Sequence, residues 1–246
     1  MFLQEAYTGL IHLFYPRLCE GCNKPLTNAE QIVCISCALE LPETGYHHLE
    51  GNETALRFAG RIPFVHATSY AYYTSDGLLQ HLLHGLKYRN KKETGYFLGR
   101  QFGYSLRNTM PKPKAEDEGN ALADWLPSID MIIPVPLHAA KMAKRGYNQS
   151  MLIGEGMSEV LQIPVSDKLL ARVKNTESQT NKTRAERDTN VFGAFGVSKK
   201  TDLKRKHILL LDDVLTTGAT IAACAQALAG VEGIKISVAT IGIAIS

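Results

Sequence analysis

The sequence has little of what marks most specialised classes of protein. Its 246 residues hold one tryptophan and five cysteines, and no apolar stretch approaches the roughly 20 residues a membrane helix needs. No membrane insertion is therefore expected. Charge of one sign is also scarce. With 27 Lys+Arg against 24 Asp+Glu, the net charge of +3 is too mild for composition alone to imply a nucleic-acid partner. No Gly-x-Gly-x-x-Gly follows a strand and no Gly-x-x-x-x-Gly-Lys-Ser/Thr is present, so neither a dinucleotide fingerprint nor a P-loop is available. Internal repeats are lacking. The opening MFLQEAYTGLIHLFYPRLC has neither a basic leader nor a small-residue cleavage site, which predicts a cytoplasmic location. What is there, 45% hydrophobic and 21% charged residues, is the composition of a chain that buries a real core.

The few cysteines are not scattered. Four fall as Cys19-Glu-Gly-Cys22 and Cys34-Ile-Ser-Cys37, two Cys-x-x-Cys pairs separated by eleven residues. Each pair can form a tight knuckle, and together they place four sulfurs at the corners of a tetrahedron, the geometry of a closed structural zinc site. In a reducing compartment this spacing favours metal over two disulfides or free thiols, and iron–sulfur patterns are spaced differently. Four protein ligands leave no open position, so the metal is expected to hold a small fold together and not to catalyse. His47 and His48 follow closely but are not needed as ligands. Cys224, far away, reads as a core residue.

Residues 1–58 are turn-rich and cysteine-dense and read as a small module; residues 59–246 read as a larger domain. Within it Phe64–Tyr73 suits a strand, and Gly77–Tyr88 spaces Leu78, Leu79, Leu82, Leu83 and Leu86 along one helical face, leaving His81 and His84 as partly exposed helix residues. Gly95–Arg107 suits a second helix. Residues 110–119, with two prolines, form a polar insertion. Further on come a strand at Met131–Val135, a helix at Ser150–Leu161, a short strand within Val165–Val173, and a polar stretch at 174–190 too long for an ordinary connection. His207–Leu211, Thr220–Ala229 and Ile234–Ile245 read as strand, helix and strand. Apolar strands alternating with helices predict an α/β fold, a mainly parallel sheet covered on both faces.

The most informative segment runs Ile208-Leu-Leu-Leu-Asp212-Asp213-Val214-Leu215-Thr216-Thr217-Gly218-Ala219-Thr220. An apolar strand ends in two carboxylates, and a turn of hydroxyls and one glycine leads into a helix. Open parallel sheets bind ligands at this end of their strands. The amides of 215–219, the threonine hydroxyls and the positive helix end suit a phosphate, and Gly218 permits close approach. The two carboxylates suit a pair of ribose hydroxyls or a magnesium ion reached through water. The alternative is that Asp212 and Asp213 only end a strand and cap a helix.

After the strand at 131–135 come His138, Lys141, Lys144, Arg145, Gly146, Tyr147, Asn148 and Gln149. Such a basic segment either binds pyrophosphate through charge-assisted hydrogen bonds or is a solvated basic turn. Two more basic clusters, Lys199, Lys200, Lys204–Lys206 and Arg89, Lys91, Lys92, read as solvated surface or as contacts to single-stranded DNA.

All thirteen positions from Ile208 to Thr220 resemble the phosphoribosyl-pyrophosphate signature of type I phosphoribosyltransferases. The cysteine module, Pro134-Val-Pro-Leu-His138, Arg145-Gly-Tyr-Asn-Gln-Ser150, Gln179–Phe192 with Arg187 and Asn190, and the Asp-Asp turn occur in one order that is similar to the ComF family. That family joins a zinc ribbon to a phosphoribosyltransferase domain and is linked to competence and DNA uptake. Lys87-Tyr88 also fits its pattern; the polar insert at 110–120 departs from it. The resemblance implies phosphoribosyl pyrophosphate with magnesium as ligand, Asp212 and Asp213 on the ribose, and Val214 to Thr220 around the 5′-phosphate. His138, Lys141, Arg145 and Arg187 would lie near pyrophosphate, with Arg184 and Arg187 on a lid at 174–190 or on a flexible loop. It leaves open an enzyme with an unnamed acceptor, serving DNA uptake or nucleotide salvage. It equally leaves a non-catalytic sensor, or a partner of a DNA-uptake helicase or single-stranded DNA. Oligomeric state is not implied.

Overall fold

The protein is described here by a computed structural model, covering residues 16–108, 125–172, 193–198 and 202–245. The insertion at 110–119, the stretch at 174–190 with Arg184, Arg187 and Asn190, and Lys199 and Lys200 lie outside the described residues. In chain order the described elements open with a one-turn helix α1 (Ile35–Leu39), a 3-10 turn (Tyr46–His48) and the short helix α2 (Glu53–Leu56). Next come β1 (Ala67–Tyr73), α3 (Leu78–Tyr88), α4 (Lys92–Arg107), β2 (Met131–Pro134), α5 (Ala139–Arg145), α6 (Gln149–Leu161) and β3 (Leu170–Arg172). The last four are β4 (Phe195–Val197), β5 (His207–Leu215), α7 (Ala219–Leu228) and β6 (Lys235–Ala244).

Four strands form one sheet in the order β1-β6-β5-β2, every neighbouring pair parallel. Ile208 to Leu211 are fully buried, as a central parallel strand requires when both faces are covered. The twofold alternation of a strand splits them. Leu209 and Leu211 join a core with α3, α4 and α6, whereas Ile208 and Leu210 join another with α7 and with Phe58 and Ile62. The fold is thus the predicted α/β sheet with helices on both faces. Cys224 is buried within α7.

Helices α4 and α6 approach unusually closely because glycine recurs along α4. A Cβ on Gly99 would lie 2.0 Å from the Ile153 carbonyl oxygen, and one on Gly156 would lie 2.2 Å from that of Tyr96. The N-terminal segment protects the free edge of β1. Tyr72 N–H donates to Pro42 O (2.9 Å), Thr44 N–H to Tyr70 O (2.9 Å), and the Asn52 carboxamide to Ala67 O (2.8 Å). Contacts therefore cross position 58 in both directions.

Three expectations change in detail. β5 does not stop at the carboxylates but runs on to Leu215, because β6 continues beside it, Asp212 facing Thr240 and Leu215 facing Ile243. The basic segment is no turn: it is helix α5, whose first turn is capped by His138 Nδ1 accepting from Ala140 N–H (3.2 Å) and which ends at Gly146 with φ +76°. The strand expected within Val165–Val173 reduces to β3, paired antiparallel with β4, while Val165 makes a lone bridge to Ile132.

Candidate functional site

β2 pairs with β5 only as far as Pro134, opposite Leu211; the last bond on that side is Val135 N–H to Leu211 O at 2.8 Å. From Asp212 onward β5 has, among the described residues, a strand on one edge only. A cleft of about 280 Å³ opens there, lined by Asp212, Asp213, His138, Lys141, Arg145, Gln149, Ser150, Arg172, Thr220, Lys87 and Tyr88. Charged groups from α3, α5, β3 and β5 thus meet at the carboxyl end of a parallel sheet, where strand order changes direction.

The two carboxylates differ in environment because neighbours on a strand point to opposite faces. Asp213 meets Lys87 of α3 at 2.7 Å, a pair in which both side chains are mostly buried. Burial opposes the Lys87 charge, but Asp213 and Asp212 outweigh it and move its pKa upward. Asp212 accepts from Ser150 Oγ (3.1 Å) and from Asp213 N–H (2.8 Å). Burial first, then the neighbouring Asp213 charge, push its pKa up to about 7.

The turn after β5 joins the rim of the cleft. Leu215 packs into the core and is 1% exposed, so Thr216 to Gly218 alone make the bend, with Gly218 at φ +75°. A side chain there would also strike Phe58 at 2.8 Å. Among the described residues, nothing accepts the N–H groups of Thr216, Thr217 or Gly218, and Ala219 N–H reaches only Thr217 Oγ1 at 3.4 Å. Three open amides at the start of the ten-residue α7 form a donor-rich pocket for an anion. Two further donors are buried without partner among the described residues: Gln149 Nε2 and His138 Nε2.

Comparison with known proteins then narrows the identity. The phosphoribosyl transferase domain family matches residues 147–242, which include α6, the paired carboxylates and the turn. "Competence protein F" of Haemophilus influenzae is 36% identical over 110 residues, 44% of this chain and 48% of that protein. "DNA utilization protein YhgH" of Salmonella typhi is 28% identical over 228 residues, 88% of this chain and 92% of its own. "Competence protein ComFC" of Bacillus subtilis is 31% identical over 100 residues, 40% of this chain and 38% of that protein. The chain carries a phosphoribosyl transferase domain and is similar to ComF-type competence proteins. It joins a phosphoribosyltransferase-like domain to a four-cysteine module.

The four cysteines form a cluster that shares no residue with the lining of the cleft. The sulfurs of Cys19, Cys22, Cys34 and Cys37 lie within 4.8 Å of one another, and Cys22 Sγ is 3.7 Å from Cys34 Sγ. A tetrahedral ion with metal–sulfur bonds near 2.3 Å asks for sulfurs about 3.8 Å apart, so the donor set fits. Gly21 N–H (3.3 Å) and Cys34 N–H (3.2 Å) donate to Cys19 Sγ, as a bound thiolate requires. Gly21 is forced by space: a Cβ there would lie 2.9 Å from Cys37 Sγ and 2.7 Å from Leu78 of α3.

Of the residues singled out in the sequence, Asp212, Asp213, Val214, Thr220, His138, Lys141 and Arg145 line one cleft, Thr216 to Gly218 form the adjoining turn, Ala219 opens α7, and Leu215 is buried in the core. Arg187 lies outside the described residues. Sequence reasoning set Lys87 and Ser150 aside as parts of a family pattern, included Gln149 only within the basic segment, and did not name Arg172. Lys87 had a signal, as a cation closing an otherwise leucine-lined helix; Arg172 had none. The basic cluster before β5 is largely matched by acids. Lys204 and Arg205 meet Glu232 (3.2 and 3.7 Å) and Lys206 meets Asp130 (2.9 Å). No described helix is long and apolar enough to cross a membrane.

Proposed function

We propose that this protein binds phosphoribosyl pyrophosphate with magnesium and acts as a phosphoribosyltransferase in the cytoplasm, serving competence and the use of imported DNA. The observation that carries the reading is the juxtaposition of Asp212 and Asp213 with three open amides and a cation-lined cleft at one end of β5. The names of the relatives, competence and DNA utilization proteins, support the biological setting.

In this reading the amides and hydroxyls of Thr216 to Thr220 take the 5′-phosphate. Asp212 and Asp213 accept from the ribose hydroxyls, and Lys87 keeps the Asp213 charge tolerable so close to a second acid. Lys141, Arg145, His138 and Arg187 hold pyrophosphate. Asp212 and Asp213 are the side chains that would hold magnesium, which would supply charge neutralisation for the pyrophosphate. Asp213 is already engaged by Lys87, so these residues suit a cation held through few direct protein ligands. The bond from the anomeric carbon to pyrophosphate breaks with its electron pair on the leaving group. A nitrogen nucleophile then bonds to that carbon and releases its proton to water. Positioning and charge complementarity carry such a displacement without a dedicated base. The four cysteines hold zinc as a structural ion.

Calorimetry with phosphoribosyl pyrophosphate and magnesium tests the ligand. The parent binds, and the double substitution Asp212→Asn, Asp213→Asn abolishes binding; equal binding by both proteins refutes the reading. Pyrophosphate release with a panel of bases and amines separates an enzyme from a sensor, which binds the same ligand and releases none.

A further inference from the structure

The turn at 216–218 does not hold its shape alone. Arg57, at the end of α2, donates through Nη1 to the Thr216 carbonyl and through Nη2 to the Ala244 carbonyl at the end of β6 (3.0 Å). Glu53, one helical turn earlier, fixes the same guanidinium at 2.9 Å. Arg61 donates to the Thr217 carbonyl at 2.6 Å. Phe58, fully buried between the two arginines in sequence, fills the space beneath Gly218. Both arginines lie more than 150 residues away from the turn in the chain: 159 and 156 positions, respectively.

The geometry of a trans peptide gives these contacts a consequence. Carbonyl and N–H of one peptide unit point in opposite directions. An arginine holding the Thr216 carbonyl turns the N–H of Thr217 away from itself, and one holding the Thr217 carbonyl does the same to the N–H of Gly218. Those are two of the three amides without an acceptor among the described residues. A cationic donor on the carbonyl also polarises the peptide and strengthens its N–H as a donor. We infer that Arg57 and Arg61 are positioning residues for a phosphomonoester: they stand behind the turn, touch no ligand, and aim and sharpen the amides of Thr217 and Gly218 toward the anion. This deepens the reading of the turn as the 5′-phosphate site, and rests on it. It also places part of the site's machinery in the segment preceding the sheet.

The test compares two ligands on the parent, Arg57→Ala, Arg61→Ala and the charge-keeping Arg57→Lys. Ribose 5-phosphate probes the turn, and magnesium pyrophosphate probes the rest of the cleft. Each alanine variant should lose about tenfold or more in affinity for ribose 5-phosphate, one charge-assisted hydrogen bond's worth, with pyrophosphate affinity unchanged. Arg57→Lys, which reaches only one of the two carbonyls, should fall between. In parallel, the Gly218 amide resonance should shift on adding ribose 5-phosphate to the parent and stay still in the Arg57→Ala, Arg61→Ala double variant. Unchanged ribose 5-phosphate binding in the variants, or equal loss of both ligands, overturns the inference while leaving the ligand reading standing. A parent that binds pyrophosphate and not ribose 5-phosphate overturns the reading of the turn itself, and the inference with it.

Discussion

The cysteine cluster and the acidic cleft are built on opposite plans. The cluster takes all four donors from residues 19–37, two short knuckles whose spacing brings the sulfurs within 4.8 Å. The cleft draws on α3, the segment after β2, α5, α6, β3, β5 and α7, spread from Lys87 to Thr220. A local site depends on its own ligands and needs little else. A dispersed site depends on every packing contact that fixes the elements carrying it, and it tolerates the loss of any one ligand better than a shift of one helix.

Stripping the zinc proposed for the four cysteines is the strongest way to break the comparison. Structural zinc contributes about 10 kcal/mol or more to the small folds it organises, so a chelator should unfold residues 16–41 while the sheet persists. Limited proteolysis should cut there first, with far-UV circular dichroism of the body largely retained. Collapse of the whole chain at the same chelator concentration would show that the module is as dispersed in its support as the cleft.

The reciprocal experiment is Gly99→Ala. Its methyl would meet the Ile153 carbonyl at 2.0 Å, so α6 must move off α4, at a cost of about 3 kcal/mol or more. The thermal midpoint should fall by several degrees, and Ser150, carried by α6, should lose its place beside Asp212. The cobalt-substituted cysteine site should keep its spectrum. A variant as stable as the parent would mean that the two helices can separate freely, against the close approach of their backbones.

The smallest effect is a pH dependence. Asp212 binds its proton more tightly in the folded chain than the ordinary carboxylate value near 4. Its contribution to stability is therefore fully present below about pH 4 and is lost as pH rises through about 7. Asp212→Asn removes that loss, so the variant should gain thermal stability relative to the parent between pH 5 and 8. Parallel melting curves across this range would mean that Asp212 ionises as it does in the unfolded chain.

Much of this was readable in the residues themselves. Apolar and β-former-rich runs located the four strands of the parallel sheet, and apolar spacing located the helix α3, because burying apolar surface is a local demand on sequence. The same holds for the four cysteines and for the signature from Ile208 to Thr220. The short strand β4 gave no such run and was missed. Helix α5 was missed because its seven residues, none of them buried, carry no apolar stripe. The partner of Asp213 was missed for a different reason, since Lys87 lies on another element and only the parallel stacking of the sheet brings them to 2.7 Å.

Residues close together in the chain were enough to decide which segments become the strands of the parallel sheet, which cysteines can share an ion, and which turn can receive an anion. Only the tertiary structure decided that β5 outruns β2 past Leu211, that Asp212 and Asp213 face different neighbours, and that Arg57 and Arg61 brace the turn from behind. Those outcomes depend on where strands stop relative to one another and on contacts across more than a hundred residues, which no local pattern encodes.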